Sequence, residues 1–189
     1  FFIMYRAGAD TATIPHSSKP RTLGAIYRTF MKYEAFNKLF ETKVDSLSSE
    51  KQFDLAISIC KKLFPDYQQF YLENNWGDPD LLLDSVKMCE LSKIQEVSVH
   101  SVKEMLPKVD KIIPDTEDFE DGSYALNASA AVYEALEFLV DKDKQHVLNI
   151  GTYLTDTIDS KIQEEDEFTQ QQIDDHPMMI EARKYLLEG

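Results

Sequence analysis

The chain of 189 residues is long enough for one well-buried domain and does not require two. Hydrophobic residues make up 43% and aromatics 11%, which is core material enough to exclude wholesale disorder. The formal net charge of −14 repels phosphate backbones and anionic lipid, setting aside nucleic acid and membrane surfaces as main partners.

Six Gly and seven Pro are few for this length, and the abundance of Ala, Leu, Glu, Lys and Gln favours helices over a turn-rich β architecture. No apolar run reaches the roughly 18 residues of a membrane span. Cys60 and Cys89 each fall in an apolar helical stretch, where a free thiol is a small core hydrophobe. A reducing, cytoplasmic setting is therefore expected.

Residues 1–30 carry four basic groups (Arg6, Lys19, Arg21, Arg28) against one acid (Asp10), leaving 16 basic and 33 acidic groups, or −17, for the remainder. The segment has no secretory pattern of basic, apolar and small-residue regions. "MKYEAFNKLFETKV" reads like the beginning of a protein. The expected organisation is an N-terminal extension over 1–30, upstream of a natural start at Met31, and an all-helical domain over 31–189.

From residue 32, Tyr33, Phe36, Leu39 or Phe40, Val44 and Leu47 recur at intervals of three and four, predicting a first amphipathic helix. Ser49 with Gln52 three residues on forms a capping-box pattern that opens a second helix through Phe53, Ile57, Cys60 and Leu63. Pro65 is expected to end it, because the residue before Pro is pushed out of the α region. Asp66 then caps a short third helix carrying Tyr67, Phe70 and Tyr71.

The stretch "NNWGDPDLLLD", 74–84, holds the only Trp and three Asp. It reads first as punctuation: Asn74, Asn75 and Gly77 tolerate left-handed backbone, and Asp78 followed by Pro79 opens a new helix. Trp76 sits before that cap as a hydrophobic staple on the Leu run. Asp80 and Asp84, four apart on one face, could present two oxygens to a cation, but no established partner adjoins them.

A connection over 91–99 precedes a fifth helix from about Ser101 to Ile113, with Pro107 as a kink or restart. The acidic "IPDTEDFEDGSY" fails as a calcium loop: with Gly122 at the sixth position, the third is Phe119 and the twelfth Ala128. It reads as a solvated loop leading into a helix N-terminus. Residues 123–140 carry only Glu134 and Glu137 as charges and are apolar almost all round, which marks the buried centre of a bundle. Asn127 is its odd polar residue and must find a partner. A long helix over about 144–163 follows, then a polar surface loop anchored by Phe168, and a last helix capped by Asp175 or His176 and starting at Pro177.

"ISICKKLFPDYQQFYLENNWGDPDLLLD", "IPDTEDFEDGSYALNASAAVYEAL", "IGTYLTDTID" and "DDHPMMIEARKYLLE", in that order, resemble the YjaG-like family of bacterial proteins, a domain of unknown function numbered 416. The resemblance covers roughly residues 32–188. It implies an all-α cytoplasmic protein and a start at Met31, and it lends no activity, cofactor or catalytic residue.

The catalytic inventory is nearly empty. The six Gly allow no dinucleotide, P-loop or nucleophile-elbow motif. There is no His-Glu-x-x-His, and the nearest approach to a di-iron spacing is Asp143-x-x-His146, which reads as a solvated cap. None of the four His has a spacing partner of the right type.

The sequence therefore points to a single-domain, all-α bundle of about six to eight helices around an Ala-rich central helix. Its expected role is self-association or protein–protein interaction, as a homodimer or with a protein partner, without nucleic acid or membrane and leaning away from catalysis. The alternative is a small-ligand or metal-binding protein, or an enzyme, with a site assembled between helices. No catalytic, cofactor-binding or metal-ligating residue is assigned and no cofactor is expected. Tyr71, Trp76, Asp80, Asp84, His100 and Asn127 are the interaction or ligand candidates.

Overall fold

The computed structural model describes residues 32–164 and 166–189. The expected extension over 1–30 and the start at Met31 lie outside them. Among the described residues there are eight α-helices and no strand: α1 (Tyr33–Ser46), α2 (Ser49–Asn74), α3 (Pro79–Leu91), α4 (Val99–Asp110), α5 (Ser123–Asp141), α6 (Lys144–Gln163), α7 (Gln170–Asp174) and α8 (Pro177–Glu188).

The core forms around α5, which packs against α2, α6, α4 and α3. Its Ala125, Ala128, Ala131 and Ala135 are fully buried, so the neighbouring backbones approach closely over side chains that lose no rotamer freedom. Phe53 of α2 stacks on Phe138 of α5 with ring centroids 5.4 Å apart. α1 closes one side through Phe36, Phe40 and Val44. Gly151 of α6 sits under the Phe40 ring, where no Cβ would fit. A smaller cluster of Ile162, Ile173 and Met179 joins α6, α7 and α8.

Local chemistry sets most helix ends. Asp78 accepts from Leu81 N–H at 2.9 Å with Pro79 at the first helical position, and Asp143 accepts from Gln145 N–H at 2.9 Å. Ser98 caps α4, which therefore starts ahead of the expected Ser101 and runs unbroken past Pro107. His176 caps α8. Asn75 and Gly77 take positive φ, 49° and 96°, between α2 and α3, as the reading of 74–84 requires.

Three expectations are corrected. Pro65 does not end a helix: α2 runs 26 residues through it. Proline inside a helix costs about 3 kcal/mol, but Leu63, Tyr67 and Phe70 lie on one stripe across it and are all buried. At about 1.5–3 kcal/mol for each large apolar side chain, that burial outweighs the penalty. Asp66 is then mid-helix and accepts from Lys161 Nζ at 2.6 Å rather than capping.

The cap of α2 is Ser48, not Ser49. Gln52 instead turns inward, and its Nε2 donates to the Val44 carbonyl at 2.9 Å, a second bond beside the Leu47 N–H that this carbonyl accepts at 3.1 Å at the C-terminus of α1. Gln52→Ala is expected to cost about 0.5–1.5 kcal/mol, the net worth of one intramolecular hydrogen bond, since the carbonyl keeps its Leu47 N–H; urea unfolding followed by circular dichroism measures it. The polar stretch before α8 contains the short helix α7, opened by a capping box between Thr169 and Gln172.

Candidate functional site

Near its C-terminus α5 carries Glu134, Glu137 and Asp141, whose spacing of three and four residues places them along one stripe of an otherwise apolar helix. Only Lys142 and Asp143 separate α5 from α6. Lys142 takes a left-handed conformation at φ 63°, and its N–H caps Phe138 O at 3.0 Å. This reversal sets the first turn of α6, with His146, against the acidic stripe.

The His146 imidazole is held at both nitrogens. Nδ1 meets the Glu134 carboxylate, and Nε2 lies 3.3 Å from Asp141. Asn149, one turn along α6, donates to the other Glu134 oxygen at 2.9 Å. One ligand atom each from Glu137, Asp141 and His146 lies within 4.8 Å of the other two. His146 and Glu134 are mostly buried, whereas Asp141 is half exposed and opens the group to solvent.

The electrostatics of this corner are one-sided. Three carboxylates stand in the last two turns of a helix, where the backbone dipole is already negative. The nearest lysines in sequence turn elsewhere: Lys142 lies 5.7 and 5.4 Å over the Phe53 and Phe138 rings, and Lys144 pairs with Asp45. Burial alone pulls the His146 imidazole down, but hydrogen bonds to Glu134 and Asp141 and the charges of both carry it above the ordinary value. Burial also raises the Tyr133 hydroxyl, with the charge of Glu137 and a hydrogen bond to it adding to the shift.

A second feature is apolar. α3 and α4 diverge around a groove of about 640 Å³ lined by Met88, Leu91, Val97 and Met105. On the adjoining turn Ile94 is 82% exposed, and Asp84, Lys87 and Glu96 supply a polar rim.

The residues singled out from sequence are scattered. Tyr71 is half-buried on α2. Trp76 packs on Phe70 and Phe119, with ring centroids 6.1 and 5.1 Å away. Asp80 and Asp84 are exposed on α3, where Asp84 pairs with Lys87 at 2.9 Å. His100 is exposed on α4, 3.4 Å from Glu104. Asn127 is buried and donates to Thr157 Oγ1 at 3.1 Å. The group of three prospective metal ligands among the described residues includes none of these six. Sequence reasoning missed it, although the acids at 134, 137 and 141 were a readable signal on so apolar a helix.

The fold and these two features define an all-α multi-helix protein that, among the described residues, carries a His–carboxylate corner between α5 and α6 and an apolar groove between α3 and α4. The family model described as "Protein of unknown function (DUF416)" matches residues 39–187, and the chain belongs to that family. The crystal structure of a DUF416 family protein from Shewanella baltica OS155 is similar, with a TM-score of 0.68 and 21% identity over 78% of this chain and 81% of that one. That likeness establishes the fold. A comparison with curated proteins gives no match. Among the described residues no helix is long and apolar enough to cross a membrane.

Proposed function

We propose that this protein works by association with a protein partner through the groove between α3 and α4. The observation that carries the reading is the exposure of Ile94 and Leu91, 82% and 43%, beside a groove floored by Met88 and Met105. Large apolar side chains left in water next to a concave apolar surface are what a docking face requires. Flexible Met side chains suit such a face because they repack around different shapes.

Charge selects the occupant. Two copies of a body carrying −17 would repel each other, so a second copy is disfavoured and a partner with basic flanks is favoured. The fitting ligand is the apolar face of an amphipathic helix with Lys or Arg on its rim, and the same charge argues against nucleic acid. The buried free thiols of Cys60 and Cys89 support a reducing, cytoplasmic setting.

A dye-labelled synthetic Leu/Lys amphipathic helix should bind the full chain saturably by fluorescence anisotropy, and added salt should weaken it. The double substitution Leu91→Glu/Ile94→Glu should reduce affinity by about tenfold or more, since buried anchors carry most of an interface's energy. Equal binding by that variant, or none by the native chain, would sink the proposal. Light scattering on the full chain should give a monomer; a dimer that the same substitutions dissolve would assign the groove to a second copy instead.

A further inference from the structure

The geometry points to a binding site for one divalent first-row transition-metal ion at the α5–α6 corner, with His146, Asp141 and Glu137 as its ligands. Donors around a tetrahedral ion, each about 2.1 Å from the metal, stand about 3.4 Å apart. His146 Nε2 and the Asp141 carboxylate are already 3.3 Å apart, and Glu137 completes a set whose donors all lie within 4.8 Å. Small side-chain rotations on two rigid helices close the remainder.

Three further observations separate this corner from an ordinary surface ion pair. First, Glu134 grips the far nitrogen of the imidazole and is itself fixed by Asn149. A carboxylate on one ring nitrogen, with the other nitrogen turned to a ligand cluster, is the arrangement that orients metal-bound histidines and raises their basicity. Second, the carboxylates gather at the negative end of α5 while Lys142 and Lys144 are spent on aromatic rings and on Asp45. An added cation relieves that concentration of charge. Third, Asp141 is half exposed while His146 is mostly buried, so an ion has an entry path and a partly desolvated seat.

One imidazole with two carboxylates suits Zn²⁺, Mn²⁺, Fe²⁺ or Co²⁺ better than Mg²⁺ or Ca²⁺, which prefer all-oxygen shells. Three protein ligands leave positions for water or for a donor from a bound molecule. The inference is independent of the docking groove, because it uses no residue of α3 or α4.

Zn²⁺ is the probe for the test. Full-length protein, first stripped with chelator, is titrated calorimetrically and dialysed against Zn²⁺ for metal analysis, with the helical signal of each variant checked by circular dichroism. One equivalent should bind, and Zn²⁺ should raise the thermal midpoint. His146→Ala should abolish stoichiometric binding, Glu137→Gln should weaken it at least about tenfold, and Glu134→Gln should cost about 10–100-fold as an orienting residue. The pair Asp80→Asn/Asp84→Asn should change nothing. If His146→Ala fails to fold, Glu137→Gln and Asp141→Asn carry the test, since both keep side-chain size. Absence of binding, binding that survives loss of ligand residues, or equal loss on removing Asp80 and Asp84 would overturn the site.

Discussion

Asp174→Ala is expected to destabilise the fold by about 1.5–3 kcal/mol, the cost of losing a buried, charge-assisted hydrogen bond. Arg183 Nη2 donates to Asp174 Oδ1 at 2.7 Å, and the side chains are only 5% and 8% exposed. The guanidinium also lies 5.3 Å over the Phe36 ring, so the pair joins α7 and α8 to the aromatic edge of α1. Without the carboxylate the seam between α7 and α8 loses its buried, charge-assisted bond. The double substitution Asp174→Leu/Arg183→Met should recover much of the loss, because a buried pair replaced by apolar groups of similar size is often neutral. Urea midpoints for the native chain, both single variants and the double variant measure this. A single-variant loss below about 1 kcal/mol would mean the pair is solvated and comparable to surface bridges.

What the sequence revealed, and what it withheld, follows from the range over which each decision is made. The break between α2 and α3 was legible because Asn75, Gly77, Asp78 and Pro79 act on their own backbone and immediate neighbours. Pro65 misled because its local penalty is easy to see, whereas the compensating burial of Tyr67 depends on α3 and the segment after α4. α7 spans five residues, too few for an apolar period to show, although Thr169 and Gln172 carried its capping box in plain view.

The two candidate features divide the same way. The acids at 134, 137 and 141 could be placed on one face of α5 from spacing alone. Their meeting with His146 depends on a two-residue reversal through a left-handed Lys142, a conformation that Lys adopts rarely and that no spacing rule anticipates. The α3–α4 groove depends on how far two packed helices diverge, which is fixed by side chains on other elements.

Tyr67 should prove the most expensive single aromatic to remove. It has no exposed surface, and its hydroxyl links three segments, donating to Ile112 O at 2.8 Å and accepting from Asp78 N–H at 3.2 Å. Gly77, at φ 96°, passes so close to that hydroxyl that a Cβ would not fit. Tyr67→Ala is expected to cost about 3–5 kcal/mol through lost packing and the cavity left behind. Tyr67→Phe keeps the ring but orphans a carbonyl and an N–H, costing about 1–3 kcal/mol near neutral pH.

Alkaline pH separates the two contributions. Burial pushes the Tyr67 phenol up to about 12 from 10.0; the Asp78 N–H favours the ionised form, and the Asp78 charge opposes it. Below pH 10 folded and unfolded chains both keep the proton, and stability does not depend on this group. Between pH 10 and about 12 the unfolded chain releases the proton while the folded chain retains it, so stability falls by up to about 1.4 kcal/mol per pH unit. Tyr124, Tyr133 and Tyr153 are also shifted upward and act in the same direction, so the informative quantity is the difference between the native chain and Tyr67→Phe. That difference should shrink by about 2–3 kcal/mol between pH 9 and pH 12, because only the native chain carries the penalty. A difference that stays constant across that range would show that the hydroxyl titrates freely and that the three segments are joined by something other than its hydrogen bonds.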